Sequence, residues 1–201
     1  MPTTSHASHL IGGRLSIDFA NSHPSSEYLS WEALLEFLLV AGIISPERSA
    51  QLLALPQTDP QSADALLSKA SHLRSCLRKV FATLVGKEPV SLDWVNSINE
   101  ILRVTEGHEE LFPENGRWKF EFVAREDTLD WLLAAIARSA AEILAEGRQT
   151  RLHVCSNPAC GLFFYDTSRT ARRRWCSMAR CGNRHKVAAF ARRHPSRHRE
   201  P

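Results

Sequence analysis

The chain has 201 residues, 43% of them hydrophobic, and a formal net charge of +3. That apolar share excludes wholesale disorder, and no apolar run reaches the ~20 residues a membrane helix needs. Residues 1–13 lack the basic and then apolar regions of a secretory leader, so the expectation is a cytoplasmic protein that does not engage a membrane.

The first patterned stretch is short. Leu15, Ile17 and Phe19 alternate and predict a strand, with Asp18, Asn21 and His23 at its end. Ser30 is placed to cap a helix carrying Trp31, Leu34, Leu35, Leu38 and Val40, which Gly42 stops. Ser45-Pro46 and Asp59-Pro60 each pair an N-cap with proline at the first helical position. The second opens a long helix with Ala63, Leu66, Leu67, Ala70, Leu73, Leu77, Val80, Phe81 and Leu84 at helical spacing. Cys76 stands alone within it and reads as a small buried apolar residue.

Pro89-Val90-Ser91 begins another helix, with Val95, Ile98 and Leu102 inward. Trp118, Phe120 and Phe122 alternate after Asn115-Gly116, which predicts a hairpin beginning at Leu111. Residues 128–145 form a helix with one strongly apolar face, ended by Gly147. The fold class is therefore α+β: a mainly helical domain, 1–148, with a small antiparallel sheet. A second, smaller module, 149–201, follows it.

Charge separates the two. Residues 151–201 hold 12 of the 25 Lys and Arg and 2 of the 22 acids, so they carry +10, and residues 1–150 carry −7. The cysteines separate the same way. Cys155, Cys160, Cys176 and Cys181 form two C-x4-C pairs with fifteen residues between them, which suits one tetrahedral four-thiolate zinc site. A disulfide pair and a reactive thiol at Cys176 are the alternatives, the first disfavoured in a cytoplasmic chain. Four thiolates leave no open position on zinc, so the metal would be structural. Phe163, Phe164 and Tyr165 suit a short strand between the pairs, turned by residues 166–168.

The segment from Cys155 through the Phe163-Phe164-Tyr165-Asp166 run to Cys181-Gly182-Asn183-Arg184 resembles the CGNR zinc finger. The stretch from Gly12 to Asn21, GGRLSIDFAN, is similar to the start of the ABATE domain that precedes this finger. Thr170 stands where the resemblance leads one to expect asparagine. The resemblance implies a bacterial protein proposed as a transcription regulator. It also implies a treble-clef-like zinc module, with the last cysteine pair at the start of a helix over about 183–193.

A basic module flanked by thiolates points to nucleic acid as the partner, DNA before RNA. The candidate contacts are Arg169, Arg172, Arg173, Arg174, Arg180, Arg184, Lys186, Arg192 and Arg193, since guanidinium forks match phosphate geometry. Stacking of bases on Phe163–Tyr165 would favour RNA. The basic segment could instead dock on the acidic body or on a partner protein. Trp175, beside Cys176, is expected under the zinc rather than against a base, and His185, His194 and His198 are not needed as ligands.

In the first domain, Asp18, Asn21 and His23 with Arg74 and Arg78 are candidates for a small-molecule effector pocket. The plainer expectation is that Asp18 and Asn21 hold backbone groups and pair with an arginine. No Walker loop, G-x-S-x-G, H-E-x-x-H or G-x-G-x-x-G is present, so no catalytic activity is expected. A homodimer reading two half-sites is compatible with such a regulator.

Overall fold

The computed structural model describes residues 10–22, 29–104, 106–114, 116–124 and 129–193. The order of elements is α1 (Leu15–Asn21), α2 (Trp31–Val40), α3 (Pro46–Leu53), α4 (Leu55–Thr58), α5 (Pro60–Gly86), α6 (Leu92–Val104), β1 (Gly107–Glu114), β2 (Arg117–Ala124), α7 (Trp131–Ala145), β3 (Leu152–Val154), β4 (Phe163–Tyr165) and α8 (Asn183–Arg193).

The expected caps are in place. Ser30 Oγ accepts the Ala33 amide at 3.1 Å, Ser45 Oγ that of Arg48 at 3.2 Å, and Asp59 Oδ1 that of Ser62 at 3.1 Å. Each satisfies a donor that the first helical turn leaves without an intrahelical partner. After α2, Gly42 takes a positive φ of 70°, which reverses the chain without a side-chain clash. α5 ends instead with a lysine in the left-handed region, Lys87 at φ 59°.

One element differs in kind from the sequence expectation. Leu15–Asn21 is a helix, not a strand. Ser16 through Asn21 are all buried, so this helix has no solvent face to give the sequence a 3.6-residue pattern. Three alternating apolar residues in a seven-residue window fit a strand equally well, and the surrounding helices decide. α1 packs between α5 and α7 and also touches β4. Phe19 lies 5.0 Å, centroid to centroid, from Phe37 of α2 in the middle of the core. Leu66, Leu73, Leu77, Val80 and Phe81 of α5 complete that core with Leu132, Ile136, Ala140 and Ile143 of α7. Cys76 is buried among them.

Two smaller differences concern boundaries. The hairpin starts at Gly107, four residues before Leu111, because the ladder continues through residues whose polar character hides it. The described part of α7 begins at Trp131, and Thr128 lies outside the described residues, as does Asn115 of the hairpin turn.

The sheets are two separate antiparallel pairs, β1–β2 and β3–β4. The core does not stop at residue 148. Leu152 of β3 and Phe163 of β4 belong to the same buried cluster as the helices, with Phe163 edge-on to Phe81 at 5.9 Å. The neighbouring Phe164 is fully buried in a second cluster with Leu162, Cys155, Cys176 and Cys181. Period-two alternation in β4 thus sends successive phenylalanines into two different cores. No described helix is long and apolar enough to cross a membrane.

Candidate metal centre and the clamp that seats it

Residues 155–160 and 176–181 form two turns that face each other. In the first, the Asn157 side chain accepts the Ala159 amide at 3.2 Å, and the Cys160 amide bonds to the Asn157 carbonyl at 2.9 Å. In the second, Ser177 Oγ accepts the Arg180 amide, and a wide helical turn over Met178–Gly182 leads into α8. The turns are joined where the Ser156 amide donates to the Arg174 carbonyl at 2.9 Å.

This brings the Sγ atoms of Cys155, Cys160, Cys176 and Cys181 within 4.8 Å of one another. Cys160 to Cys176 is 3.6 Å and Cys176 to Cys181 is 3.7 Å. Those separations are far beyond the roughly 2.05 Å of a disulfide. They agree with the edge of about 3.8 Å expected when four thiolates sit about 2.3 Å from one zinc in a tetrahedron. All five cysteines are free of disulfides.

Burial and the neighbouring thiols push the Cys176 thiol well up, and burial does the same to Cys160. Burial works against the Cys181 thiolate too, yet hydrogen bonds from Asn157 and the other cysteines hold that thiol below its ordinary value. Asn157 Nδ2 donates to Cys181 Sγ at 3.4 Å. Four sulfurs this close, three of them on buried residues, cannot all give up protons without a cation among them, and a divalent ion supplies that charge. The residues fit one structural Zn2+, held by Cys155, Cys160, Cys176 and Cys181 with no position left for a reacting water.

The N-terminal residues meet this module on its body side. The Asn21 amide pairs with the peptide group of Phe163 as a neighbouring strand would: Nδ2 donates to the Phe163 carbonyl at 2.8 Å, and the Phe163 amide donates to Oδ1 at 3.0 Å. The Tyr165 amide donates to the Gly12 carbonyl at 2.6 Å. The Gly12 amide in turn donates to Asp18 Oδ1 at 2.6 Å. A Cβ at Gly12 would fall 2.5 Å from Ile17 Cγ2, so the approach requires glycine. Burial raises the Asp18 carboxyl to about 6, partly offset by the amide bonds from Gly12 and Ile11.

Arg14 stacks over the Tyr165 ring at 4.7 Å and reaches Glu146, which also accepts the Tyr165 hydroxyl at 2.7 Å. Arg74 and Arg78, one turn apart on α5, donate to the carbonyls of Ser22 at 3.3 Å and Ala20 at 3.2 Å. They satisfy the C-terminal end of α1, where the helix leaves acceptors open.

The effector-pocket candidates are thereby located. Asp18 and Asn21 lie on α1, Arg74 and Arg78 reach its end from α5, all four hold backbone groups, and His23 lies outside the described residues. The basic candidates divide. Arg169, Arg172, Arg174, Arg180, Arg184 and Lys186 are exposed, and Arg192 and Arg193 occupy the last turn of α8. Arg173 is a correction. It is half-buried, stacks over Phe164 at 4.6 Å, and donates to the carbonyls of Trp175 at 2.9 Å, Ile11 at 3.4 Å and Cys176. Its guanidinium ties the zinc knuckle to the N-terminal segment.

Phe163 and Phe164 are buried, and the half-buried Tyr165 is engaged by Arg14 and Glu146. Trp175 packs on the zinc-side cluster and against His185 at 4.7 Å. Asp166 lies in the turn expected over residues 166–168, but its complete burial was not expected. Burial opposes its charge, but bonds from Ser168 and the Arg173 amide prevail and hold its carboxyl low. The Asp-x-Ser spacing marks the turn, and nothing local marks the burial.

Comparison with known families gives two matches. The model for the CGNR zinc finger covers residues 151–194. The ABATE model, described as "Putative stress-induced transcription regulator", covers residues 13–147. No curated protein matches the chain.

Proposed function

Because the chain belongs to the ABATE family and carries a CGNR zinc finger, we propose that it regulates transcription in the cytoplasm by binding nucleic acid, duplex DNA in preference to RNA. The observation that supports this reading is the sorting of the arginines. Arg173 is turned inward, while Arg169, Arg172, Arg174, Arg180, Arg184 and Lys186 are exposed on a frame fixed by zinc. Asn183 and Arg184 open α8 as a continuation of the turn that holds the last ligand, Cys181, so the metal orients that helix. With the −2 of a four-thiolate zinc, residues 151–201 retain about +8, a strong field for a polyanion. The inward aromatics favour DNA, since RNA readers commonly stack unpaired bases on such side chains.

The zinc supports shape and the charge supports affinity; no catalytic step belongs to this reading. Asp18 and Asn21 serve in it as the clamp between the two regions, with Arg74 and Arg78 holding the end of α1, rather than as an effector pocket.

The test is binding of the zinc-loaded chain to labelled duplex DNA and single-stranded RNA across a salt series. If about five cations meet phosphates, the log–log slope on duplex is roughly −4 to −5. Arg184→Ala should keep zinc and lower affinity and slope. Absence of binding to either polymer at low salt overturns the proposal.

A further inference from the structure

The hairpin β1–β2 takes no part in the zinc module or the clamp. Leu111, Trp118 and Phe120 are 56%, 72% and 62% exposed. The register sets Leu111 opposite Phe120 and Pro113 opposite Trp118, so these four share one face. A two-stranded hairpin with a bare aromatic face is marginal in water unless something joins it.

Its two edges are unlike. β1 contains Pro113, which has no amide to donate, and three glutamates, which are devices that discourage pairing. β2 reads Arg-Trp-Lys-Phe-Glu-Phe-Val-Ala, without proline, and the described sheet ends at it. The middle of β2 is also self-complementary. From Trp118 to Phe122 the pattern is aromatic, cation, aromatic, anion, aromatic.

We propose that two copies of the chain associate through the outer edges of their β2 strands, paired antiparallel about a two-fold axis at Phe120. This register sets Lys119 opposite Glu121 of the second copy twice, Trp118 opposite Phe122 twice, and Phe120 opposite itself. Neighbouring registers are worse. An axis at Lys119 opposes lysine to lysine, an axis at Glu121 opposes glutamate to glutamate, and an axis at Trp118 opposes Arg117 to Lys119. Opposite charges and aromatic pairs directly across a ladder stabilise it, and like charges do the reverse. The product is a four-stranded sheet ordered β1–β2–β2–β1, closed by two-fold symmetry, with the proline-bearing strands outermost. It presents two basic modules per particle, and its formation does not depend on nucleic acid.

The experiment is light scattering of the full zinc-loaded chain over a range of concentrations. The wild type should move from 22.6 kDa toward twice that mass as concentration rises. Lys119→Glu and Glu121→Lys should each raise the dimer dissociation constant about tenfold or more. The double variant should restore it, since the charges then face each other in exchanged order. Zinc stoichiometry and helical circular dichroism verify that each variant is folded. A wild type that stays at 22.6 kDa throughout overturns the proposal without recourse to any variant. So does a dimer that neither single swap weakens, or a double variant that fails to recover.

Discussion

The two small sheets invert the usual relation between length and security. β1 and β2 pair over eight residues each, yet the face carrying Trp118 and Phe120 is bare and β2 ends the described sheet. β3 and β4 pair over three residues each, yet Leu152, Phe163 and Phe164 anchor them in the interior. The outer edge of β4 is closed by Asn21 and Gly12, and its side chains divide between the helical core and the zinc cluster. Strand length adds ladder bonds of modest net value, whereas burial and a metal cross-link decide whether the strands stay in place. The short sheet is therefore a joint between two regions, and the long one is a surface.

Removing the metal should break that contrast most severely. Cys176→Ser is expected to lose zinc and unfold residues 151–193. Because Leu152 and Phe163 lie in the helical core, the body should also melt earlier, by an amount comparable to losing a core phenylalanine, about 3–5 kcal/mol. Zinc analysis and thermal denaturation of the full chain check both parts. A body with unchanged melting would show that the shared core contributes nothing to it.

Asn21→Ala cuts the joint without touching a ligand. It leaves the amide and carbonyl of Phe163 without the partner that spans them, at a cost of about 2–4 kcal/mol in unfolding free energy. Zinc should remain at one per chain. Loss of zinc in this variant would mean that the clamp forms the metal site rather than seats it.

The smallest effect concerns Asp18. Its folded carboxyl lies at about 6, above the ordinary 3.8, so the folded state holds the proton more tightly than the unfolded one. This group therefore favours the fold at low pH, and that contribution is lost as pH rises from about 4 through 6. Between pH 5.5 and 7.5 about 1 kcal/mol of the loss remains. Denaturant unfolding of wild type and Asp18→Asn, with zinc monitored, should show their stability difference changing by that amount. A difference that stays constant over this window would place the folded carboxyl near its ordinary value.

Local chemistry made much of this legible in the amino-acid sequence. Ser30, Ser45 and Asp59 mark helix starts because capping is a bond between residues three apart. The thiolate spacing, with fifteen residues between the pairs, announced one metal site, and the charge division announced the basic module. α8 begins at the expected residue because it continues the turn that holds the last ligand.

The rest depended on distance along the chain. Leu15–Asn21 is a helix because α5 and α7 enclose it, and no pattern within seven residues carries that information. Asn21 and Phe163 are 142 positions apart, so their pairing left no local trace. Arg173 and Arg174 are adjacent and chemically identical, yet one is locked to carbonyls and the other is exposed. The sequence alone determined which groups could bind a metal, cap a helix or carry charge, because those are properties of residue type and short spacing. Only the tertiary structure decided which of them face solvent and which hold the molecule together, because burial depends on what the remote parts of the chain bring alongside.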